Sequence, residues 1–189
     1  MTHTDPVISH QDIVAAIRAS TADVFATMLG LEITAEDMQT EPAVTAAPSS
    51  GVVSLIGLAG NWCGTGSLAC TLAFACRMAT HLVATPYDSV NEDVLDAAGE
   101  ITNMIIGNVK TVLEEKVGPM GLSSPTVIYG RNFQTRSARI HEWIIVPFTC
   151  GEERLFVQMC LAPNPDSRSR NGNKGTLRAG FQVPQVLTG

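Results

Sequence analysis

The sequence predicts an α+β fold in which two related halves, each a helix, a strand and a hairpin, form one mainly antiparallel sheet with two long helices packed on it. Two stretches show the apolar spacing of amphipathic helices, and two pairs of alternating apolar runs show the pattern of β-hairpins. The order helix, strand, hairpin occurs twice along the 189 residues, which is the third observation. A chain of this length can bury a substantial core as a single domain.

The first half opens with a predicted helix over residues 10 to 30. Four apolar residues recur on one side of it, and a glycine gives a stop signal at its end. These residues are Ile13, Ile17, Val24, Met28 and Gly30. The stretch 31 to 46 then predicts a weak, edge-like strand because it carries Pro42.

A hairpin follows in the first half. The alternating runs VVSLIGLAG and GSLACTLAF are its two predicted strands, with NWCGT as the turn between them. A short helix is expected from about residue 77 to 84, before Pro86.

The second half repeats this order, beginning with a long helix from about residue 90 to 117. Ser89 and Glu92 have the spacing of a capping box at its start. The predicted strand SSPTVIYG and the hairpin runs IHEWIIVPF and RLFVQMCLA follow, the latter joined around TCGEE. The predicted core face of the long helix consists of Val94, Ala98, Ile101, Ile105, Val109 and Val112.

A polar stripe lies opposite that core face. Asp96, Glu100, Asn103 and Gly107 are separated by steps of four, three and four residues, so they share one outward side of the helix, with Gly99 beside them. A glycine in a helix interior costs about 1 kcal/mol relative to alanine. One reason to keep two of them is close approach by another molecule. The alternative is a plain solvated surface, with Gly99 packed against a neighbouring helix.

The charge distribution separates the body of the chain from its end. Residues 163 to 189 hold four of the 12 basic residues and one of the 18 acidic ones, so residues 1 to 162 carry 8 basic and 17 acidic side chains. An acidic body argues against nucleic acid as a partner. The segment 163 to 189 is rich in Pro, Ser, Asn and Gly without periodicity, and it is predicted to be a disordered basic tail. A basic docking arm is the alternative for it.

Several other kinds of site are not favoured by the residue patterns. The five cysteines show no CxxC spacing and are interpreted as small buried side chains, while the four histidines lack the spacing of metal ligands. The run GNWCGTG lacks the lysine of a phosphate-binding loop and precedes a strand, so it is interpreted as a turn. Neither a self-contained nucleophile nor a metal site is therefore expected.

The subcellular location is predicted from two missing signals. No apolar run approaches the roughly 20 residues of a membrane span, and MTHTDPVISH lacks the features of a signal peptide. We expect a cytoplasmic protein with no membrane partner.

The stripe also gives the chain its resemblance to a known family. The pattern D-x3-E-x2-N at Asp96, Glu100 and Asn103, within DAAGEITNMIIGNVK, resembles the signature helix of the CheC/CheX/FliY family of chemotaxis phosphatases. The stretches VFATMLG, GTGSLACTLAF and LSSPTVIYG look like their counterparts, and the similarity covers about residues 10 to 162. It implies a CheC-like fold over residues 1 to 162. Because the motif occurs once, the chain resembles the CheX type within this family, and CheX is known as a homodimer.

The resemblance also implies a function. It is removal of the phosphoryl group from the phospho-aspartate of a CheY-like response regulator, with Asn103 orienting the attacking water and Glu100 engaging the regulator's active-site lysine. Asp96, Gly99 and Gly107 would contact this partner. The chain itself is expected to bind no cofactor, since Mg2+ would belong to the regulator.

Two other hypotheses remain open from the sequence. One is a non-catalytic, CheX-like binding module that docks on a receiver domain or another signalling protein without accelerating hydrolysis. The other is a solvated stripe without function. The sequence does not distinguish flagellar chemotaxis from twitching, gliding or another two-component pathway.

Overall fold

The computed structural model describes residues 8 to 42, 50 to 131 and 142 to 165. Within these ranges, eight strands form one sheet and the helices pack on it. The helices are α1 (His10–Val24), α2 (Leu72–Val83) and α3 (Glu92–Val117), and a π-helical turn (Phe25–Leu29) continues α1. The strands are β1 (Thr34–Ala35), β2 (Gln39–Pro42), β3 (Ser50–Gly60), β4 (Trp62–Cys70), β5 (Met120–Leu122), β6 (Thr126–Arg131), β7 (Glu142–Cys150) and β8 (Glu153–Pro163).

The two halves exchange their edge strands. β1 and β2 of the first half pair with β7 of the second, whereas β5 and β6 of the second half pair with β3 of the first. The two hairpins, β3–β4 and β7–β8, meet where β4 pairs with β8. Every pairing between described strands is antiparallel. The predicted fold, two related halves merged in one antiparallel sheet with long helices on it, is therefore confirmed.

The main core lies between the sheet and the three helices. Ile17 of α1, Phe74 of α2 and Ile101 of α3 are fully buried there, and the rings of Phe25 and Phe74 stack with centroids 6.2 Å apart. Alternate strand residues face this layer, as the two-residue period of a strand requires. The sheet therefore supports α3 from below.

α1 begins and ends as the sequence predicts, with one difference. Ser9 and Asp12 form a capping box, and Gly30 ends the helical segment in the left-handed conformation at φ 62°. Met28, predicted to face the core, is 48% exposed. The wider π-helical turn returns Leu29 to the core in its place.

α3 departs from prediction at its start and on one core position. The cap is Asn91, whose side chain accepts a hydrogen bond from the Val94 amide at 3.0 Å, so the predicted capping box at Ser89 is wrong. Val112 is 49% exposed and Leu113 is buried instead. A step of four from Val109 keeps closer to the core face than a step of three, because the helix has 3.6 residues per turn.

The first hairpin is confirmed, but its turn is tighter than predicted. β3 and β4 are separated by Asn61 alone, and most of NWCGT lies within β4. The second run ends as a strand at Cys70, because Thr71 caps α2 by accepting a hydrogen bond from the Phe74 amide at 3.1 Å. α2 therefore starts at Leu72 and not near residue 77.

The later elements follow the prediction closely. The strand predicted around Pro125 is present as β6, preceded by the short β5, and the last two runs form β7 and β8. Residues 43 to 46 of the first edge region, the start of IHEWIIVPF and the predicted tail from residue 166 onward lie outside the described residues. No helix in the described part of the chain has the length and apolar character to span a membrane.

Candidate functional site

The position of α3 is fixed from below by a glycine in the sheet. A Cβ atom built on Gly66 of β4 would lie 2.7 Å from Ile106 Cδ1 and 2.9 Å from Ile106 Cγ2, both closer than real contacts. The missing side chain therefore lets the fully buried Ile106 rest against the strand. This close packing sets the height of the polar stripe above the sheet.

The C-terminal half of α3 is held by charged contacts. Lys110 Nζ lies 2.7 Å from Glu114 Oε1, which also accepts a hydrogen bond from the Met120 amide at 2.6 Å. Both contacts lower the pKa of Glu114, the first more strongly. Lys116 Nζ lies 2.7 Å from Asp12 Oδ1 of α1, and this contact, with hydrogen bonds from Ser9, lowers the pKa of Asp12 to about 2.

The stripe itself has no such contacts. Asp96 and Glu100 are exposed and Asn103 is half-buried on α3. None of the three side chains forms a hydrogen bond or an ion pair with any other described residue. The predicted outward direction of the stripe is thus confirmed. Its carboxylates and its amide remain available to a partner.

The two glycines of the stripe differ in their surroundings. Gly99 is buried, and an added Cβ would be in ordinary contact, 3.5 Å, with both Pro125 Cβ and Val127 Cγ2. Gly107 is half-buried, and its nearest neighbour would be Leu122 Cδ1 at 3.8 Å. Internal packing therefore accounts for a small residue at 99 but leaves space above 107. Contact with a partner stays a prediction for both.

Two open grooves flank the stripe. The larger, with a volume of about 500 Å³, lies between the end of α2 and the first half of α3, and the smaller, about 300 Å³, lies between α3 and β6. Asp96 and Glu100 line both grooves. The larger groove is also lined by Leu82, Val83, Tyr87, Asp93 and Ala97, and the smaller by Leu95, Gly99, Pro125 and Val127.

Tyr87 holds one wall of the larger groove. Its amide donates to Thr80 Oγ1 at 3.1 Å, and its hydroxyl donates to Asp93 Oδ2 at 3.4 Å. Desolvation, followed by the charge and hydrogen bond of Asp93, raises the pKa of Tyr87. The hydroxyl therefore stays a neutral donor near pH 7.

The groove walls were not among the sequence-predicted site residues. Val83, Tyr87 and Leu82 follow no motif, and their proximity to Glu100 depends on the way α2 packs beside α3. The one local signal is Ala84, which ends α2 at φ 55° and turns the chain back toward α3. The sequence pattern predicts Pro125 and Val127 only as part of a strand.

The chemistry available at the stripe is limited. A carboxylate accepts hydrogen bonds or pairs with a cation, and a carboxamide both donates and accepts, so the pair Glu100 and Asn103 can position a cation and a water molecule. No group of three or more His, Cys, Asp or Glu residues among the described positions is arranged to hold a metal ion. Four of the five cysteines are buried thiols, with Cys63 half-buried.

Comparison with known families gives a match over the same region. The model of the family described as chemotaxis phosphatase CheX matches residues 52 to 149, which includes all of α3. No curated protein is significantly similar to the sequence.

Several solved structures of similar fold are described as CheX or CheC-like proteins. The chemotaxis protein CheX of Vibrio vulnificus is 26% identical, with a TM-score of 0.66, covering 82% of this chain and 100% of its own. A CheC-like superfamily protein of Shewanella sp. PV-4 is 24% identical, with a TM-score of 0.71 and coverages of 80% and 97%. A CheX–CheY–BeF3–Mg2+ complex from Borrelia burgdorferi contains a chain 25% identical, with a TM-score of 0.64 and coverages of 79% and 97%.

Proposed function

The chain belongs to the chemotaxis phosphatase CheX family, and we propose that it removes the phosphoryl group from the phospho-aspartate of a CheY-like response regulator. The observation that carries this proposal is the outward, unpaired pair Glu100 and Asn103 on a helix that the family model spans. We further propose that it works in the cytoplasm as a homodimer, as the family resemblance implies.

In this proposal Asn103 holds the attacking water. Its amide group accepts from and donates to one water molecule, which restricts the orientation of that water toward the phosphorus. Phosphoryl transfer gains chiefly from positioning and charge stabilisation, so the protein needs no nucleophile of its own. Asn103 is half-buried and its side chain forms no hydrogen bond with another described residue, so its amide is available to bind a water molecule, which supports this role.

Glu100 engages a cation of the regulator, which we take to be its active-site lysine. The exposed carboxylate has no cationic neighbour among the described residues of its own chain, so it can pair with a group from outside. The acyl phosphate and the Mg2+ belong to the regulator in this scheme. The Borrelia complex of CheX, CheY, BeF3 and Mg2+ supports a CheY-like regulator as the partner.

Asp96 and Gly107 contribute to the partner surface in this proposal. Asp96 lies one turn before Glu100 and adds negative charge, and Gly107 leaves space one turn after Asn103 for a partner's backbone. Gly99 contributes at the edge of the smaller groove, where Pro125 and Val127 pack beside it on α3.

The experiment is the decay of phosphate from a panel of the host's phosphorylated receiver domains, in Mg2+, with the parent protein and with Asn103→Ala. We expect acceleration by the parent and at least a 100-fold loss with the variant, within the range seen when one transition-state hydrogen bond is removed. An exposed or half-exposed substitution on a helix changes stability by under about 0.5 kcal/mol, so the variant stays folded. Equal rates would contradict the assigned mechanism. No acceleration of any receiver would favour the non-catalytic binding module.

A further inference from the structure

The larger groove beside the stripe has an apolar wall that no described element covers. Val83, at the last turn of α2, is 51% exposed, and Leu82 and Tyr87 are partly buried next to it. The buried Ala97 contributes a small side chain between these residues and the stripe. An exposed valine alone needs no explanation, but an apolar wall of an open groove next to unpaired polar groups is a candidate docking surface.

The opposite wall is negatively charged. Asp93, Asp96 and Glu100 follow each other along α3 and all line the groove. The ion pairs formed by described residues involve other carboxylates, those of Asp12, Glu36, Glu114 and Glu142. Among the described residues, the polar contact to this wall is the hydrogen bond that the Tyr87 hydroxyl donates to Asp93. A complementary surface therefore carries an apolar side chain next to a lysine or arginine.

The groove is formed before any partner arrives. The amide of Tyr87 is held by Thr80 and its hydroxyl by Asp93, so the loop after α2 is tied to both helices. A preformed groove lowers the entropy lost on binding. Glu100 belongs both to this groove and to the pair with Asn103, so the groove is continuous with the pair.

We propose that this groove is the affinity and specificity surface for the receiver domain, taking from it an apolar side chain flanked by a basic one. The inference rests on the proposed function, because it assigns the groove to the same partner whose phospho-aspartate faces Glu100 and Asn103. It places partner selection at Val83, Leu82, Tyr87 and Asp93, outside the residues that act on the phosphoryl group. A second copy of this chain is the other occupant that the test distinguishes.

The test compares Val83→Lys with the matched control Val112→Lys. The two valines are equally exposed, at 51% and 49%, and Val112 lies on α3 about 18 Å along the helix from Glu100, well beyond the groove. A lysine at 83 removes the apolar contact and repels a basic partner. We expect the KM for the phosphorylated receiver to rise at least tenfold with kcat changed less than threefold, whereas Val112→Lys leaves both constants within twofold of the parent.

Binding of the BeF3-activated receiver, measured for the same three proteins, separates this inference from the proposed function. If the parent accelerates hydrolysis and Val83→Lys behaves like Val112→Lys in both KM and affinity, the groove assignment is wrong and the function stands. If the parent binds the receiver without accelerating hydrolysis and Val83→Lys weakens binding tenfold, the function fails and the groove stands. A change of Val83→Lys from dimer to monomer in sedimentation, with unchanged receiver affinity, would assign the groove to a second copy and overturn the proposal.

Discussion

The helices α1 and α3 hold similar places in the two halves of the fold, yet their outward polar residues behave differently. On α1, Arg18 donates to the carbonyl of Glu36 at 2.8 Å, Asp12 binds Ser9 and Lys116, and His10 lies 3.5 Å from Glu142. These side chains connect α1 to its neighbours. On α3, the stripe of Asp96, Glu100 and Asn103 has no such contacts among the described residues, and it includes glycines that α1 lacks before its end.

The comparison teaches which exposed polar residues suggest function. Exposure alone does not, because both helices have polar outer faces. What distinguishes α3 is a combination: a carboxylate and an amide without contacts to other described residues lie together in a helix interior that holds two glycines, which lower helix propensity. The proposed contact with a partner would account for this combination.

The largest expected change in stability comes from the glycine beneath α3. Gly66→Ala should destabilise the protein by about 1–3 kcal/mol, because its Cβ would lie within 3 Å of three atoms of Ile106 and force that side chain or the helix to move. Urea unfolding measures the change. Gly121→Ala is the control, since among the described residues its added Cβ would meet the Ala59 carbonyl alone, at an ordinary 3.6 Å. A similar loss in both variants would show that close packing under α3 is not the cause.

A smaller effect of opposite sign is expected within the stripe. Gly107→Ala should stabilise the protein by about 0.5–1 kcal/mol, because alanine is the better helix former and its methyl group has space. If the proposed function is right, the same methyl group would stand where the regulator's backbone approaches, so the rate of dephosphorylation should fall. Gly99→Ala is the variant for comparison, because its methyl group would contact Pro125 and Val127 of the same chain. A more stable Gly107→Ala with full activity would remove close approach as the reason for this glycine.

The smallest effect concerns the polar contact that joins α1 to α3. Asp12 has its pKa lowered from 3.8 to about 2, chiefly by Lys116, so its contribution to stability is present above pH 3.8 and is lost as the pH falls through about 2. The stability difference between the parent and Asp12→Asn should therefore shrink between pH 5 and pH 2, while phosphatase activity at pH 7 stays unchanged. Unfolding midpoints at the two pH values measure it. A difference that is constant with pH would mean that the ion pair has no part in stability.

The sequence predicted the architecture and the stripe because both depend on periodicity. The apolar spacing of α3 and the alternation of the two hairpins are local properties, and they identified the elements and the outward side of Glu100 and Asn103. The errors lie where local signals compete. Asn91 caps α3 although Ser89 fits a capping box, and Thr71 begins a helix inside an alternating run.

The groove and the exchange of edge strands were beyond sequence reasoning. Val83 and Tyr87 come close to Glu100 only because α2 packs along α3, and no spacing rule encodes that contact. In the same way, the pairing of β6 with β3 joins residues more than seventy positions apart. The role of Gly66 likewise appears only once Ile106 is seen above it.

The most direct measurement is the rate of phosphate loss from a phosphorylated receiver domain as the concentration of Asn103→Ala is raised to saturation, beside the parent and Asp23→Ala, an exposed position on α1. The comparison of the two helices predicts that Asn103→Ala loses at least 100-fold in maximal rate with its half-saturating concentration changed less than threefold, and that Asp23→Ala matches the parent. Two results would contradict the placement of the chemistry on α3. One is a maximal rate in Asn103→Ala equal to that of the parent. The other is a lower rate that returns to the parent's value at saturating concentration.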